Sequence, residues 1–352
     1  MPSTRLEEFP VTASVTTARQ QRRRLPLASS TPFGVLVAVV VLYAVLVENF
    51  AGPALQPIAV VAVIYALFAT SVGMTMGWAG VPTFGHAIFF GMGAYTAGLL
   101  RTHTLDSIVI LLFALILGIV GGAVLFLIGA RKSAGLSFAM VTLAVGQVLE
   151  VMASRVKFFG GENGLTGIPR SRILGIDTTS YNAMLVYVLA VYLVVMAGLL
   201  VVYRSHYGAA LRASRDDALR SAASGLNVQL LKGSAFALSA GVAAVAGVLF
   251  AQDYMYISAS AFDYSLSGIA IIMMVVGGMF SYWGPSVGAV LYTVLQWKLA
   301  SVSNAWFIYL GLAVIIIVLL RPEGLSSLWT LGRSGFLWLR ERLGRRGERS
   351  AA

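Results

Sequence analysis

Long stretches without a charged residue alternate with short intervals that carry charge. Asp, Glu, Lys and Arg are absent from 25–47, 57–100, 107–130, 133–149, 178–203, 233–252, 264–297 and 299–320. A helix that crosses the hydrocarbon core of a bilayer needs about 20 mostly apolar residues. The runs 57–100 and 264–297 are therefore each long enough for two passes. The pattern predicts an all-α membrane protein, a polytopic helical bundle of about ten spans, or eight if the two long runs hold re-entrant segments. A transmembrane barrel is excluded, because its strands are short and alternate in hydrophobicity whereas these runs are continuous.

Composition agrees: 58% of the residues are hydrophobic and 11% charged, against roughly 25% charged in soluble domains. The net charge of +11 raises nucleic-acid binding, but the positions of the charges argue against it. With ten spans drawn, 19 of the 25 Lys and Arg fall on one side. They lie in the N-terminal tail, at Arg131 and Lys132, in 204–232 and from Arg321 onward. Basic residues accumulate in cytoplasmic loops, so both termini are expected in the cytoplasm. A single pass through 264–297 would carry the basic tail to the opposite side. Arg22–Arg24 before an apolar run has the outline of a signal peptide. The length of that run and the many later spans favour an uncleaved first span. The expected organisation is a disordered tail over 1–31, a helical membrane domain over 32–328 and a basic tail over 329–352. Trp329 and Trp338 in the last suit contact with anionic lipid. Cysteine is absent, which excludes disulfides and thiol chemistry.

Three polar or glycine-rich features interrupt the apolar background. Segment 204–232 is rich in Ala and Leu over 209–223, with Arg212, Arg215, Asp216, Asp217 and Arg220 among them. It predicts one short surface helix, with Gly208 ahead of it, Gly225 at its stop and Lys232 opening the next span. Such a helix offers a handle to another protein. Segment 158–169 holds four Gly and a Pro around Asn163, Gly164, Thr166 and Gly167, which predicts a structured, turn-rich outer loop. Within the membrane, Gly80, Gly85, His86, Gly91, Gly93 and Tyr95 form one distinctive block. Gly277, Gly278, Gly284 and Pro285 form another. Broken backbone at membrane depth is tolerated only where protein or a water-filled cavity satisfies it, so both blocks are candidates for broken helices or for the lining of a pathway. His86 is the one ionisable side chain in 57–100; it is either a pathway group or a neutral ring bonded to its surroundings. Gly91–Thr96 and Gly288–Thr293 share a Gly-x-x-x-Tyr-Thr pattern, a weak hint of an internal repeat.

Catalytic motifs are missing. None of the four lysines follows a glycine, so there is no Gly-Lys-Ser/Thr of a nucleotide-binding P-loop. There is no His-Glu-x-x-His pair and no cysteine for a metal site. One Gly-x-Ser-x-Gly stands at Gly284–Gly288, but no histidine follows Ser286 to act as its base.

In the order of these motifs the chain resembles the permeases of branched-chain amino acid ABC importers, specifically the LivM type. The resemblance runs from about 58 to 328. It is carried by Gly80–Thr96, Gly160–Pro169, Arg212–Gly247 with its Lys-x-x-Ala-Phe-x-x-Ser-Ala, Gly277–Ala289 and Arg321–Leu325. It implies the architecture of an ABC importer permease that binds no cofactor itself, with ATP used by partner subunits. The implied partners are a second, LivH-like permease, two ATP-binding subunits docking on 204–232, and an extracytoplasmic substrate-binding protein. Two departures stand out. Ala218 occupies a slot where the family usually carries Glu, and Val81-Pro82-Thr83-Phe84 replaces a commoner Gln-Leu-Ser-Leu. Urea, short amides or other small organic solutes are alternative cargoes of the same machinery. An ion-coupled secondary transporter is a different class; of the acids, only Glu150 comes near mid-span.

Overall fold

Runs of Leu, Val, Ile and Ala satisfy every backbone group within the segment when helical, which is what a bilayer demands. The computed structural model describes residues 56–100, 106–130, 135–170, 172–173, 176–177, 180–302 and 305–320. The expected first span, both tails with their tryptophan anchors, and Arg131–Lys132 lie outside the described residues. Helices dominate: α1 (Gln56–Gly73), α2 (His86–Leu99), α3 (Ser107–Ala130), α4 (Leu136–Arg155), α5 (Tyr181–Arg204), α6 (His206–Asp216), α7 (Ala218–Ala223), α8 (Val228–Tyr254), α9 (Tyr264–Gly277), α10 (Gly284–Val302) and α11 (Trp306–Leu320). Five described helices are long and apolar enough to cross a membrane; one of them is α1 with its continuation to Trp78, and the others are α3, α4, α5 and α8. Each long charge-free run contains two helices and a break: α1 and α2 in 57–100, α9 and α10 in 264–297. At 14 residues each, α2 and α9 are shorter than a full span.

The centre of the bundle is α1 and α8, whose side chains are mostly buried, with α2, α3, α9 and α10 packed around them. Small residues set the spacing. A Cβ added to Gly93 of α2 would stand 1.9 Å from the Ala244 carbonyl oxygen of α8, and one on Gly247 of α8 would stand 1.9 Å from the Phe90 carbonyl oxygen of α2. The two backbones thus touch at two reciprocal points, the device that draws membrane helices together where lipid supplies no hydrophobic drive. The pair α9–α10 uses the same device through Gly277 and Gly288. On α3 the apolar residues Leu112, Ile116, Val120, Val124 and Leu127 are exposed in one stripe, a face that suits lipid tails.

At the end of the bundle where α8 finishes, the described loop 157–170 is held by strand pairing. Its strand β1 (Leu165–Thr166) pairs antiparallel with β4 (Tyr256–Ile257), matching Leu165 to Ile257. A small hairpin, β2 (Arg172–Ile173) with β3 (Ile176–Asp177), follows. Gly164 has φ +66° and ψ −165°, a region open essentially to glycine. A Cβ there would lie 2.2 Å from the Ile257 carbonyl oxygen. Gly164→Val is therefore expected to release the loop at a cost of ~1–3 kcal/mol, read as faster proteolytic cleavage within 157–170. Gly167, at φ +73° with open space around it, should tolerate alanine better. Equal protection of wild type and Gly164→Val would refute this.

The segment after α5 departs from the single helix expected over 209–223. It forms two helices broken at Asp217, whose backbone is extended (φ −152°, ψ 99°). Asp217 prefers to cap: its carboxylate accepts the Arg220 amide at 2.9 Å, satisfying a first-turn donor of α7. The first helix also begins earlier, at His206, because the Ser205 hydroxyl accepts the Gly208 amide. Past α7 the Leu226 amide donates to Ser221 and the Gly225 amide to Ala222, with Gly225 at φ +86°. This is the glycine-terminated helix end that the sequence predicts. Asn227 then caps α8 through the Leu230 amide.

Candidate functional site: the loop helices and the two helix breaks

The surface segment α6–α7 is tied to the membrane helices by two arginines. Ser214 and Leu211 of α6 face the bundle and are buried. One turn apart on the same side, Arg212 and Arg215 reach inward. Arg212 Nη1 donates to the Tyr203 carbonyl at 2.8 Å, and its guanidinium lies 4.2 Å from the centre of the Tyr203 ring. Arg215 Nη1 donates to the Gly77 carbonyl at 2.6 Å. Its guanidinium also sits 4.7 Å from the Phe280 ring centre and bonds Asp216 Oδ1 at 2.7 and 2.9 Å.

Those contacts land on the two breaks. After Gly73, α1 loosens into a π-turn over Met74–Trp78, a form often found at functional positions. The chain then turns at Gly80, φ +65°, where the missing side chain makes room for the Arg215 methylenes. The other break, 278–283, separates α9 from α10, and Gly278 there has φ +112°. The Met279 carbonyl oxygen packs against Gly77, where an added Cβ would stand 1.9 Å away. Behind them Trp78 is packed between Tyr203 and Tyr282, with ring centres at 4.9 and 5.8 Å. Tyr282 donates its hydroxyl to the Met196 carbonyl. One arginine of a surface helix therefore touches both interrupted helices, and an aromatic cluster locks them to α5.

The backbone freed at the first break is satisfied by side chains. The Phe84 amide donates to Thr142 of α4, the Gly85 amide to Thr83 and the Ala87 amide to Ser267 of α9. His86, the first residue of α2, is buried; its Nε2 lies 3.0 Å from Ser239 Oγ and 3.2 Å from Thr75 Oγ1. Its Nδ1 has no hydrogen-bond partner among the described residues. A second buried hydroxyl cluster joins Thr70, Ser286 and Tyr192, at 3.0 Å between Thr70 and Ser286 and 2.9 Å between Tyr192 and Ser286. The serine of the Gly-x-Ser-x-Gly match is thus a packing hydroxyl between α1, α5 and α10. Next to it Pro285 fills the space left by Gly73.

The predicted residues are distributed as follows. Gly80 and Arg215 meet at this junction, Arg212 sits on Tyr203 beside it, and Gly278 starts the second break, with Gly277 at the end of α9 and Gly284 opening α10. Gly208 lets α6 start against the Val202 and Tyr203 carbonyls. Asp216 is exposed, as are Leu219 and Arg220, so the outer face of the segment is open to a partner. Lys232 is half-buried in the first turns of α8. Tyr207, beside it, donates to Leu231 and shares a hydrogen bond with Ser234; burial raises its phenol above the ordinary value. Gly91 and Tyr95 lie farther along α2, where Gly91 faces the Phe262 ring and Tyr95 stacks on Phe262 and meets Phe159 edge-on. Asn163, Gly164, Thr166 and Gly167 belong to the strand-paired loop at the opposite end, and Glu150 bonds Gln147 on α4. Sequence reading missed Trp78, Tyr203, Phe280 and Tyr282. The available signal was aromatic residues clustered where apolar runs end or break.

Comparison with known proteins fits this architecture. The model of the branched-chain amino acid transport system / permease component family matches residues 54–319. The high-affinity branched-chain amino acid transport system permease protein LivM of Salmonella typhimurium is 27% identical over 295 residues, covering 76% of this chain and 69% of the relative. LivM of Escherichia coli is 26% identical over 294 residues with the same coverage. A probable LivM of Methanocaldococcus jannaschii is 22% identical over 316 residues, covering 74% of this chain and 90% of that protein. No solved structure shows significant similarity. These relatives are transport permease components rather than enzymes, and with its apolar helices this chain is a multi-pass membrane protein that belongs to the branched-chain amino acid transport permease family.

Proposed function

We propose that the chain is the pathway-forming permease subunit of a bacterial ABC importer for branched-chain amino acids. In this reading it pairs with a second permease and carries no motor. Two ATP-binding subunits dock on the exposed face of α6–α7, and an extracytoplasmic binding protein delivers cargo at the end where 157–170 lies. About ten spans cross the inner membrane, with both termini and α6–α7 in the cytoplasm. The observation that carries the reading is Arg215, which joins the surface helix to both helix breaks. Push on α6 and both interrupted helices move. A bistable pathway biased by nucleotide state needs a connection of that kind.

Tagging the chain in its native host and purifying it in mild detergent tests the assembly. Recovery of two ATP-binding subunits and a second permease is the expected result. Recovery of a homodimer lacking any nucleotide-binding partner, or substrate movement by the purified chain alone, would sink the importer reading. Uptake assays in a deletion strain then separate branched-chain amino acids from urea and short amides.

A further inference from the structure

A cavity of about 500 Å³ opens between the start of α1, the start of α5, the last turn of α8 and α10, beside the strand-paired loop. Its size is ordinary for a small-molecule site, for which roughly 300–1,000 Å³ is typical. Most of α1 is buried, yet Ile58 and Val61 on its cavity side are half-exposed, and Trp297 of α10 faces them as a further wall. This side of the cavity is mainly apolar, with Thr293 and Gln296 of α10 beside Trp297. The other side holds both signs of charge. Arg170 of the loop and Asp253 of α8 stand 3.5 Å apart with side chains only 10% and 6% exposed. Tyr181, the first residue of α5, supports the guanidinium with its ring centre 4.6 Å away.

Arg170 Nη2 also donates to the Asp253 main-chain carbonyl at 3.2 Å, while its contact with the carboxylate is longer than the ~2.7–2.9 Å of a tight charge-assisted bond. A cation and an anion held side by side next to an apolar wall match one ligand chemistry well: a zwitterion with an aliphatic side chain. We propose that this cavity is an entry subsite for a small aliphatic α-amino acid. Arg170 takes the carboxylate, Asp253 takes the ammonium group, and Ile58, Val61 and Trp297 enclose the side chain. Urea and simple amides carry no charges to meet the pair. The assignment rests on the importer reading for the direction of entry, but binding itself does not require it.

The test uses the full chain in lipid nanodiscs with three probes: L-leucine, 3-methylbutylamine, which lacks the carboxylate, and 4-methylpentanoate, which lacks the ammonium group. Leucine is expected to bind at least tenfold more tightly than either analogue. Arg170→Gln should erase the preference for leucine over the amine while leaving the amine's affinity in place. Asp253→Asn should do the same for the preference over the acid. If those variants fail to fold, Val61→Trp leaves the pair intact and fills the cavity; it should lower leucine affinity at least tenfold with an unchanged melting temperature. Absence of leucine binding to the wild type, retained discrimination in both charge variants, or wild-type affinity in Val61→Trp would overturn the subsite. Uptake by cells carrying the whole transporter keeps the two claims apart. Leucine uptake that depends on this chain but is unaltered in all three variants refutes the subsite alone, whereas no uptake of any branched-chain amino acid refutes the importer reading.

Discussion

In the proposed importer, Arg215→Ala should leave the assembly able to hydrolyse ATP while substrate uptake falls by one to two orders of magnitude. The variant removes a charge-assisted hydrogen bond to the Gly77 carbonyl and the guanidinium's contact with Phe280. Hydrogen bonds to charged groups contribute ~1.5–3 kcal/mol, and each ~1.4 kcal/mol is tenfold in an equilibrium. That is enough to disconnect α6 from the breaks without unfolding helices held mainly by packing. Lysine should rescue poorly, since it lacks the planar fork that reaches a carbonyl and covers an aromatic face together. Asp217→Ala is the control within the same segment. It removes the cap of α7 at a cost of ~1 kcal/mol, and should weaken subunit docking and uptake in parallel rather than uncouple them. Measuring ATPase rate and uptake on the same proteoliposomes decides the matter. Tight coupling in Arg215→Ala would show that force reaches the pathway by another route.

The second large effect is on assembly. Gly93→Val and Gly247→Val should each abolish stable accumulation in the membrane, with Gly93→Ala intermediate. The added atoms would meet backbone carbonyls 1.9 Å away, not side-chain tips that can swing aside. Overpacking a core typically costs ~1–3 kcal/mol and sometimes more, and rigid backbone on both sides places these sites at the upper end. Gly198 and Gly268, helical glycines with nothing within 4 Å of an added Cβ, should accept alanine at wild-type levels. Quantitative immunoblotting of membranes, with melting of whatever folds, reads the series. Normal abundance of Gly93→Val would mean that α2 and α8 are farther apart than described.

Much of the candidate site was legible because polar and small residues are rare in an apolar chain. Where Gly80 or Gly278 interrupts an apolar run, the backbone must leave the helix, and both breaks fall inside the runs long enough for two passes. Gly225 and the charges of 204–232 likewise mark a surface helix and its end. The split at Asp217 was harder to see, since Ala and Leu on both sides read as one helix and only the competing cap breaks it.

By itself the sequence determined the helical membrane class and the positions of the interruptions, because these depend on local hydrophobicity and on residue types that must be present in the chain. Tertiary structure alone decided what the interruptions touch. Gly77 and Phe280 are more than two hundred residues apart in the chain, and nothing local to either says that Arg215 lies against both. The same holds for the role of the glycines. A glycine in an apolar run can mark a break, a pathway wall or a contact between backbones, and only the partner across the gap distinguishes them. For Gly93 and Gly247 that partner is a carbonyl on the facing helix. The surface segment was therefore readable from the sequence, and the fold supplied what it is fastened to.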